Sequence, residues 1–417
     1  MAQPRAILRI FPIVVVYLVL GNSPTPAARP DMHISLKVPK TAAFGDYQGS
    51  TRIRLGEVRD EGFAEPPTYL GMGPESAFSV HVKDGRTVSV ETAATKLLGR
   101  LGILAEDESA GTYDLDIIIR RNHFNTLRVS GKYRLRGEVF LEFIFREAGT
   151  VTGKILACGN AEAVVSVARD TQIIDTYRAA FNDSFFKFFT SETTARHLGS
   201  GWKTGKTPEK KDSIEITRID RGFVYGPTAF ITKELDNADT PAEMNPHPRL
   251  LVLADFSIEE NQYNYTEISD EEDEEFARTY VPDLVREHLN AYYPGAFPVI
   301  ERRQDPDIPE ELVVTGTLHR FKIGDYRKRS FPGFGAGKDL LDTSIQITNG
   351  SDDWEDFGFR SESANWGGGW QAKRGQIRDM ADQLARDIAY LLVRAYLPGY
   401  RYPDDLEVSF DGKPYPL

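Results

Sequence analysis

The sequence predicts an α+β protein made of two tandem β-α-β-β-β-α repeats, with antiparallel-rich sheets carrying helices packed on one face. Three observations predict it. The 417 residues exceed one typical domain, and 41% of them are hydrophobic, enough for more than one core. Segments of the chain match one another at a constant spacing of 204 residues. Within each half, strand-like alternation gives way to helical spacing in the same order.

The chain opens with MAQPRAILRIFPIVVVYLVLGNSPTPAARPD. Arg5 and Arg9 precede an apolar run of about 12 residues, Ile10 to Gly21, too short for the ~20 that cross hydrocarbon but suited to a secretory signal. Small residues at Ser23, Thr25, Ala27 and Ala28 place cleavage near Thr25–Ala27, so residues 1–28 read as a signal peptide; an uncleaved anchor is the second reading. Leu18-Val19-Leu20-Gly21 has the form of a lipoprotein cleavage box, but Asn22 follows where the acylated cysteine would stand. The expected location is therefore exported, periplasmic or cell-envelope associated, and not lipidated at Asn22.

In the first repeat, residues 29–190, Thr51–Val58 forms the opening strand. Ser89–Leu101 follows as a helix, with Val90, Ala93, Ala94, Leu97, Leu98 and Leu101 on one face. Tyr113–Ile119 is the next strand, and the alternation of Val139, Leu141 and Phe143 and the segment around Ile155 supply two more. The closing helix buries Ile173, Tyr177, Phe181, Phe185 and Phe188. Residues 191–213, which include GSGWKTGKTPEKKD, read as a linker by composition. In the second repeat, residues 214–400, the counterparts are Arg249–Phe256 and a helix over Val281–Tyr292 with Pro282 in its first turn. Leu312–Leu318, Leu340–Thr348 and the segment around Phe359 are its further strands. Its closing helix carries Ile377, Met380, Leu384, Ile388 and Leu391. The 204-residue offset pairs Gln172 with Gln376, Val139 with Thr343, Ile155 with Phe359 and Gly131 with Gly335. Residues 401–417 are left as a C-terminal tail.

Two glycine motifs invite a phosphate reading and fail it on context. Gly205-Lys206-Thr207 lacks the glycine five residues earlier, follows a helix, and runs into Pro208. FPGFGAGKD at 331–339 alternates Gly333, Gly335 and Gly337, but a period-2 strand follows it rather than a helix N-terminus. It reads as a hairpin turn of Gly333, Phe334, Gly335 and Gly337.

These residues carry a resemblance. The first half resembles the YajG-type bacterial lipoproteins, in an opening strand ending Val58-Arg59-Asp60 and the order of the elements after it. The second half is similar to a related bacterial domain family of unknown function, marked by the basic turn Tyr326-Arg327-Lys328-Arg329 and then Gly-Phe-Gly-Ala-Gly. Together the likenesses cover about 350 residues, and only the glycine motif is specific. The resemblance implies a cell-envelope protein without an established catalytic activity, and it carries over no catalytic residues. Lipidation, common among such proteins, does not carry over because of Asn22.

The formal net charge is −12, and about −14 without residues 1–28, so no nucleic-acid partner is expected. Against that acidic field, both hairpins are basic: Arg128, Lys132, Arg134 and Arg136 in one half, Arg327, Lys328, Arg329 and Lys338 in the other. They are the candidate contacts for an envelope protein or an anionic envelope component, with peripheral membrane contact at the same residues. The plain structural reading is protection of strand edges by charge. The acidic run Asp270–Glu275 lacks the alternate ligand spacing and glycine of a calcium loop, and reads as a solvated stretch near a helix start.

Nothing along the chain assembles a catalytic site. The seven histidines are scattered without an i, i+4 pair, Gly-x-Ser-x-Gly is absent, and Cys158, the single cysteine, sits mid-strand as a packed apolar group. No disulfide can form within the chain, and no metal or cofactor is expected. Trp366 and Trp370 flank a glycine run and would suit either a core edge or a glycan platform. The function expected is an exported, non-catalytic binding or assembly accessory. The alternative is a carbohydrate-active hydrolase using an Asp/Glu pair.

Overall fold

The computed structural model describes residues 32–36, 45–62, 68–69, 77–78, 80–105, 112–129, 132–204, 250–258, 271–303, 312–322, 339–349, 355–363, 373–397 and 399–409. In the first repeat, β1 (Ile53–Asp60) connects through α1 (Arg86–Arg100) to β2 (Tyr113–Val129), which lies parallel to it. β3 (Lys132–Glu147) and β4 (Thr150–Val165) add antiparallel neighbours, and α2 (Asp170–Thr190) and the short α3 (Glu192–Leu198) close the unit. The β3–β4 turn uses Ala148 and Gly149 at φ 49° and 83°, the left-handed pair of a two-residue hairpin.

The second repeat runs β5 (Leu250–Ala254), α4 (Glu271–Tyr292), β6 (Val299–Arg303), β7 (Leu312–Lys322), β8 (Asp339–Asn349), β9 (Glu355–Ser363) and α5 (Lys373–Tyr396). Its main sheet has the order β6-β5-β7-β8-β9, with Ser257–Ile258 pairing β7 beside β5. The sheet of the first repeat has the order β10-β4-β3-β2-β1, where β10 (Leu406–Ser409) comes from the far end of the chain. The fold is α+β, and β5-α4-β7-β8-β9-α5 repeats β1-α1-β2-β3-β4-α2, with β6 inserted.

Sheet register refines the repeat. Leu115 pairs with Phe145 and Val314 with Ile347; Phe143 then pairs with Ile155 and Ile345 with Phe357. The third and fourth strands therefore correspond at an offset of 202 and the second at 199, whereas the closing helices keep the 204 seen along the sequence. A slip of two leaves every side chain on the same face, so alternation alone could not detect it. Both repeats also carry a bulge at the equivalent place, between Ile119 and Arg121 in β2 and between Leu318 and Arg320 in β7.

Several boundaries move. Residues 191–204, read as linker, belong to the packed first repeat. The Ser191 hydroxyl accepts from the Thr194 N–H at 3.1 Å and starts α3. Trp202 is buried, its indole N–H donating to the Phe189 carbonyl at 3.1 Å, and residues 202–204 pair with 45–47. Residues 205–213 lie outside the described residues. α4 begins at Glu271, so the acidic run from that residue onward is its first turns, where carboxylates suit the helix dipole. Pro282 consequently sits in the helix interior, where it cannot donate to the Arg278 carbonyl. The Phe256 N–H takes that carbonyl at 3.1 Å, which ties the end of β5 to α4.

Each repeat places its helices on one face of its own sheet. In the first, Leu115, Ile117, Phe143 and Ile155 pack under Leu97, Ile173, Phe181 and Phe188. In the second, Leu253, Val314 and Ile347 pack under Leu284, Val285, Leu384 and Ile388. The opposite face of the first sheet is not left to water: Phe140, Leu156 and Cys158 meet Ala291 and Tyr292 of α4. α4 and α5 thus lie between the two sheets, in an order helices, sheet, helices, sheet. That is why α5 is buried on more than the face expected of it, with Ala381, Asp382, Ala385, Ala389 and Leu392 inside along with Leu384, Ile388 and Leu391. Among the described residues, no helix is long and apolar enough to cross a membrane.

Candidate functional site

The strongest concentration of chemistry lies where the repeats meet. β2 is an inner strand, and its odd-numbered residues Leu115 and Ile117 face α1 and α2. The bulge after Ile119 reverses the alternation, so Arg121 turns to the other face, toward the second repeat. There its side chain is fully buried, and each guanidinium nitrogen donates to a different carboxylate. Nε reaches Glu138 of β3 at 2.8 Å, one terminal nitrogen Glu287 of α4 at 2.5 Å, and the other Asp382 of α5 at 2.8 Å. Two of those three carboxylates come from the second repeat.

Around this hub the charges balance. Arg136, two residues before Glu138 on the same face of β3, bonds Glu138, and Arg386, one turn beyond Asp382, lies 3.5 Å from it. Three arginines face three carboxylates. The Nε2 of His288 bonds Asp382 at 2.9 Å, and Arg386 also lies over the Tyr292 ring at 5.1 Å from its centroid. Burial alone would raise the Glu138 and Asp382 carboxyls. The arginines outweigh it, Arg136 first for Glu138 and Arg121 first for Asp382, and hold both well below the usual carboxylate range. Burial lowers His288 to about 4 against the opposing pull of Asp382, so the ring is neutral at physiological pH.

This arrangement joins the two repeats through contacts of Arg121 with Glu287 and Asp382. An Asp–His pair recurs in nucleophilic catalysis, but there the second ring nitrogen takes the proton of a nucleophile. His288 Nδ1 is buried and has no hydrogen-bond partner among the described residues. Glu138, Glu287 and Asp382 are 2%, 4% and 3% exposed, each with an arginine in contact, and none can present a carboxylate to a glycan. Among the described residues, no group of three His, Cys, Asp or Glu could hold a metal ion.

The basic hairpin of the first repeat is partly drawn into the same interior. Arg134 is nearly buried and pairs with Glu162 at 3.2 Å, and Arg136 belongs to the buried cluster. Lys132 is exposed, and Arg128 lies on β2, with its side chain outside the described residues. Arg327, Lys328, Arg329, Lys338 and the turn Gly333, Phe334, Gly335 and Gly337 all lie outside the described residues, as do Trp366 and Trp370. Cys158 is fully buried between β4 neighbours. The buried cluster itself escaped the sequence reading. Its one trace is charge set inside apolar runs, Arg121 after Ile117-Ile118-Ile119 and Glu138 and Glu142 within GEVFLEFIF.

No protein-family profile matches this chain, and no curated protein matches it. Two solved structures are similar over part of it. One is described as an uncharacterized protein, at 12% identity and a TM-score of 0.24, over 36% of this chain and 96% of that one. The other is protein XCC0632 from Xanthomonas campestris, of family DUF330, at 15% identity and a TM-score of 0.24, over 40% of this chain and 94% of that one.

Proposed function

We propose that this is an exported, non-catalytic cell-envelope protein that acts as a binding or assembly accessory for an envelope component. The reading rests on the leader of residues 1–28 and on one observation above the others. Glu138, Glu287, Asp382 and His288 are sealed between the repeats, the carboxylates in contact with Arg121 and His288 bonded to Asp382. Such a cluster fixes how two units meet, a use well suited to a rigid scaffold. The experiment is fractionation of bacteria expressing the full chain and a variant lacking residues 1–28. The full chain is expected in the periplasmic and envelope fractions and the shortened one in the cytoplasm. Equal cytoplasmic retention of both would refute the reading.

A further inference from the structure

The last described strand does not join the sheet of its own repeat. After α5, the hydroxyls of Tyr400 and Tyr402 donate to the carbonyls of Pro294 and Tyr292, mooring the chain on the end of α4. β10 then runs parallel to β4 of the first repeat, with Leu406 opposite Lys154 and Ser409 opposite Ala157. The strand has four residues, all half-exposed, whereas Ile155, Leu156 and Ala157 beneath it are fully buried. A short, partly wet strand laid on a fully formed edge belongs to the least stable part of a structure.

The edge is specific in what it accepts. Lys154 contributes both its ammonium, 2.6 Å from the Asp405 carboxylate, and its backbone N–H, 3.0 Å from the Asp405 carbonyl. Leu406 and Val408 pack on Phe140, Leu156, Cys158 and Ala291. Between them Glu407 points the other way and accepts from the backbone N–H groups of Glu192 and Thr193 at 3.0 and 2.7 Å. The pattern is acidic, apolar, acidic, apolar. Because Ala291 belongs to α4, this acceptor is complete only when the two repeats are docked.

We propose that the β4 edge is a strand-acceptor site, held in cis by residues 405–409, which takes an extended acidic–apolar–acidic–apolar segment of a partner protein. The mode is strand addition: backbone bonds supply affinity, and the alternating side chains supply selectivity. The tyrosine mooring keeps the cis strand at high effective concentration, so a partner binds by competing it away. This deepens the accessory reading by naming its contact surface. It rests on that reading only for the partner's location, since strand binding in vitro does not depend on export.

The probe is a fluorescein-labelled peptide of residues 401–409, RYPDDLEVS, added to the full chain. In a full-length variant carrying Leu406→Asp and Val408→Asp, the cis strand is detached. The peptide is expected to bind this variant at least about tenfold more tightly than wild type, and a peptide with the same two changes is expected not to bind. No binding by a variant with wild-type circular dichroism overturns the proposal. Hydrogen exchange on the unaltered protein tests it without any variant. Amides of 406–409 should exchange at least about tenfold faster than those shared by β3 and β4. Equal protection of the two sets overturns the proposal as well.

Discussion

Replacing Arg121 with methionine keeps most of the side-chain volume and removes the guanidinium from the centre of the cluster. Glu138 keeps Arg136, and Asp382 keeps His288 at 2.9 Å and Arg386 at 3.5 Å. Glu287 loses its 2.5 Å bond to the hub. Breaking a buried ion pair from one side costs about 3–5 kcal/mol, because the remaining charge stays desolvated. The residual arginines argue for the lower part of that range, about 3 kcal/mol, a large share of the 5–15 kcal/mol typical of a folded protein. Urea denaturation followed by far-ultraviolet circular dichroism reads the change. A cycle with Glu287→Gln should show coupling of at least about 1 kcal/mol, since the two groups touch across the repeat boundary. A cost below about 1 kcal/mol for Arg121→Met, or coupling within error of zero, would refute the hub role.

Three further outcomes are expected. Between pH 6.5 and about 4 the unfolded chain protonates His288 while the folded protein does not, so stability falls as pH drops through that window. The loss is up to roughly 3 kcal/mol at 1.36 kcal/mol per pH unit, and His288→Gln should flatten the slope in urea titrations across that range. Gly159→Ala should destabilise by about 1–3 kcal/mol, because a methyl there meets the Ala180 carbonyl and Ser184 of α2; unchanged thermal melting would contradict this packing. Changing Arg327, Lys328 and Arg329 to glutamate should weaken sedimentation with phosphatidylglycerol vesicles and leave sedimentation with phosphatidylcholine vesicles unaltered. Equal sedimentation of both proteins with the anionic vesicles would remove these residues as contacts.

The repeat was legible because both halves carry the same order of elements and a helical stripe closes each, and Ile173, Tyr177, Phe181, Phe185 and Phe188 of the first are all buried. How the halves meet was not legible. Arg121 looks like any charged residue at the end of an apolar run until the bulge is known, and a bulge leaves alternation intact on either side of it. Its partners stand 17, 166 and 261 residues away along the chain, beyond any local pattern. Pro282 misled for a related reason. Proline favours a first turn, and here a tertiary bond from the Phe256 N–H satisfies the Arg278 carbonyl that the interior proline leaves open. Residues 406–409 carry alternation too brief to distinguish a strand from a tail, and their pairing with β4 depends on the docking of both repeats.

The buried Arg121 cluster is expected to make the two repeats one cooperative unit. Differential scanning calorimetry of the chain lacking residues 1–28 tests this most directly. A single endotherm is predicted, with calorimetric and van't Hoff enthalpies in agreement. Two endotherms in the unaltered protein, each shifting separately with substitutions in its own repeat, would contradict it.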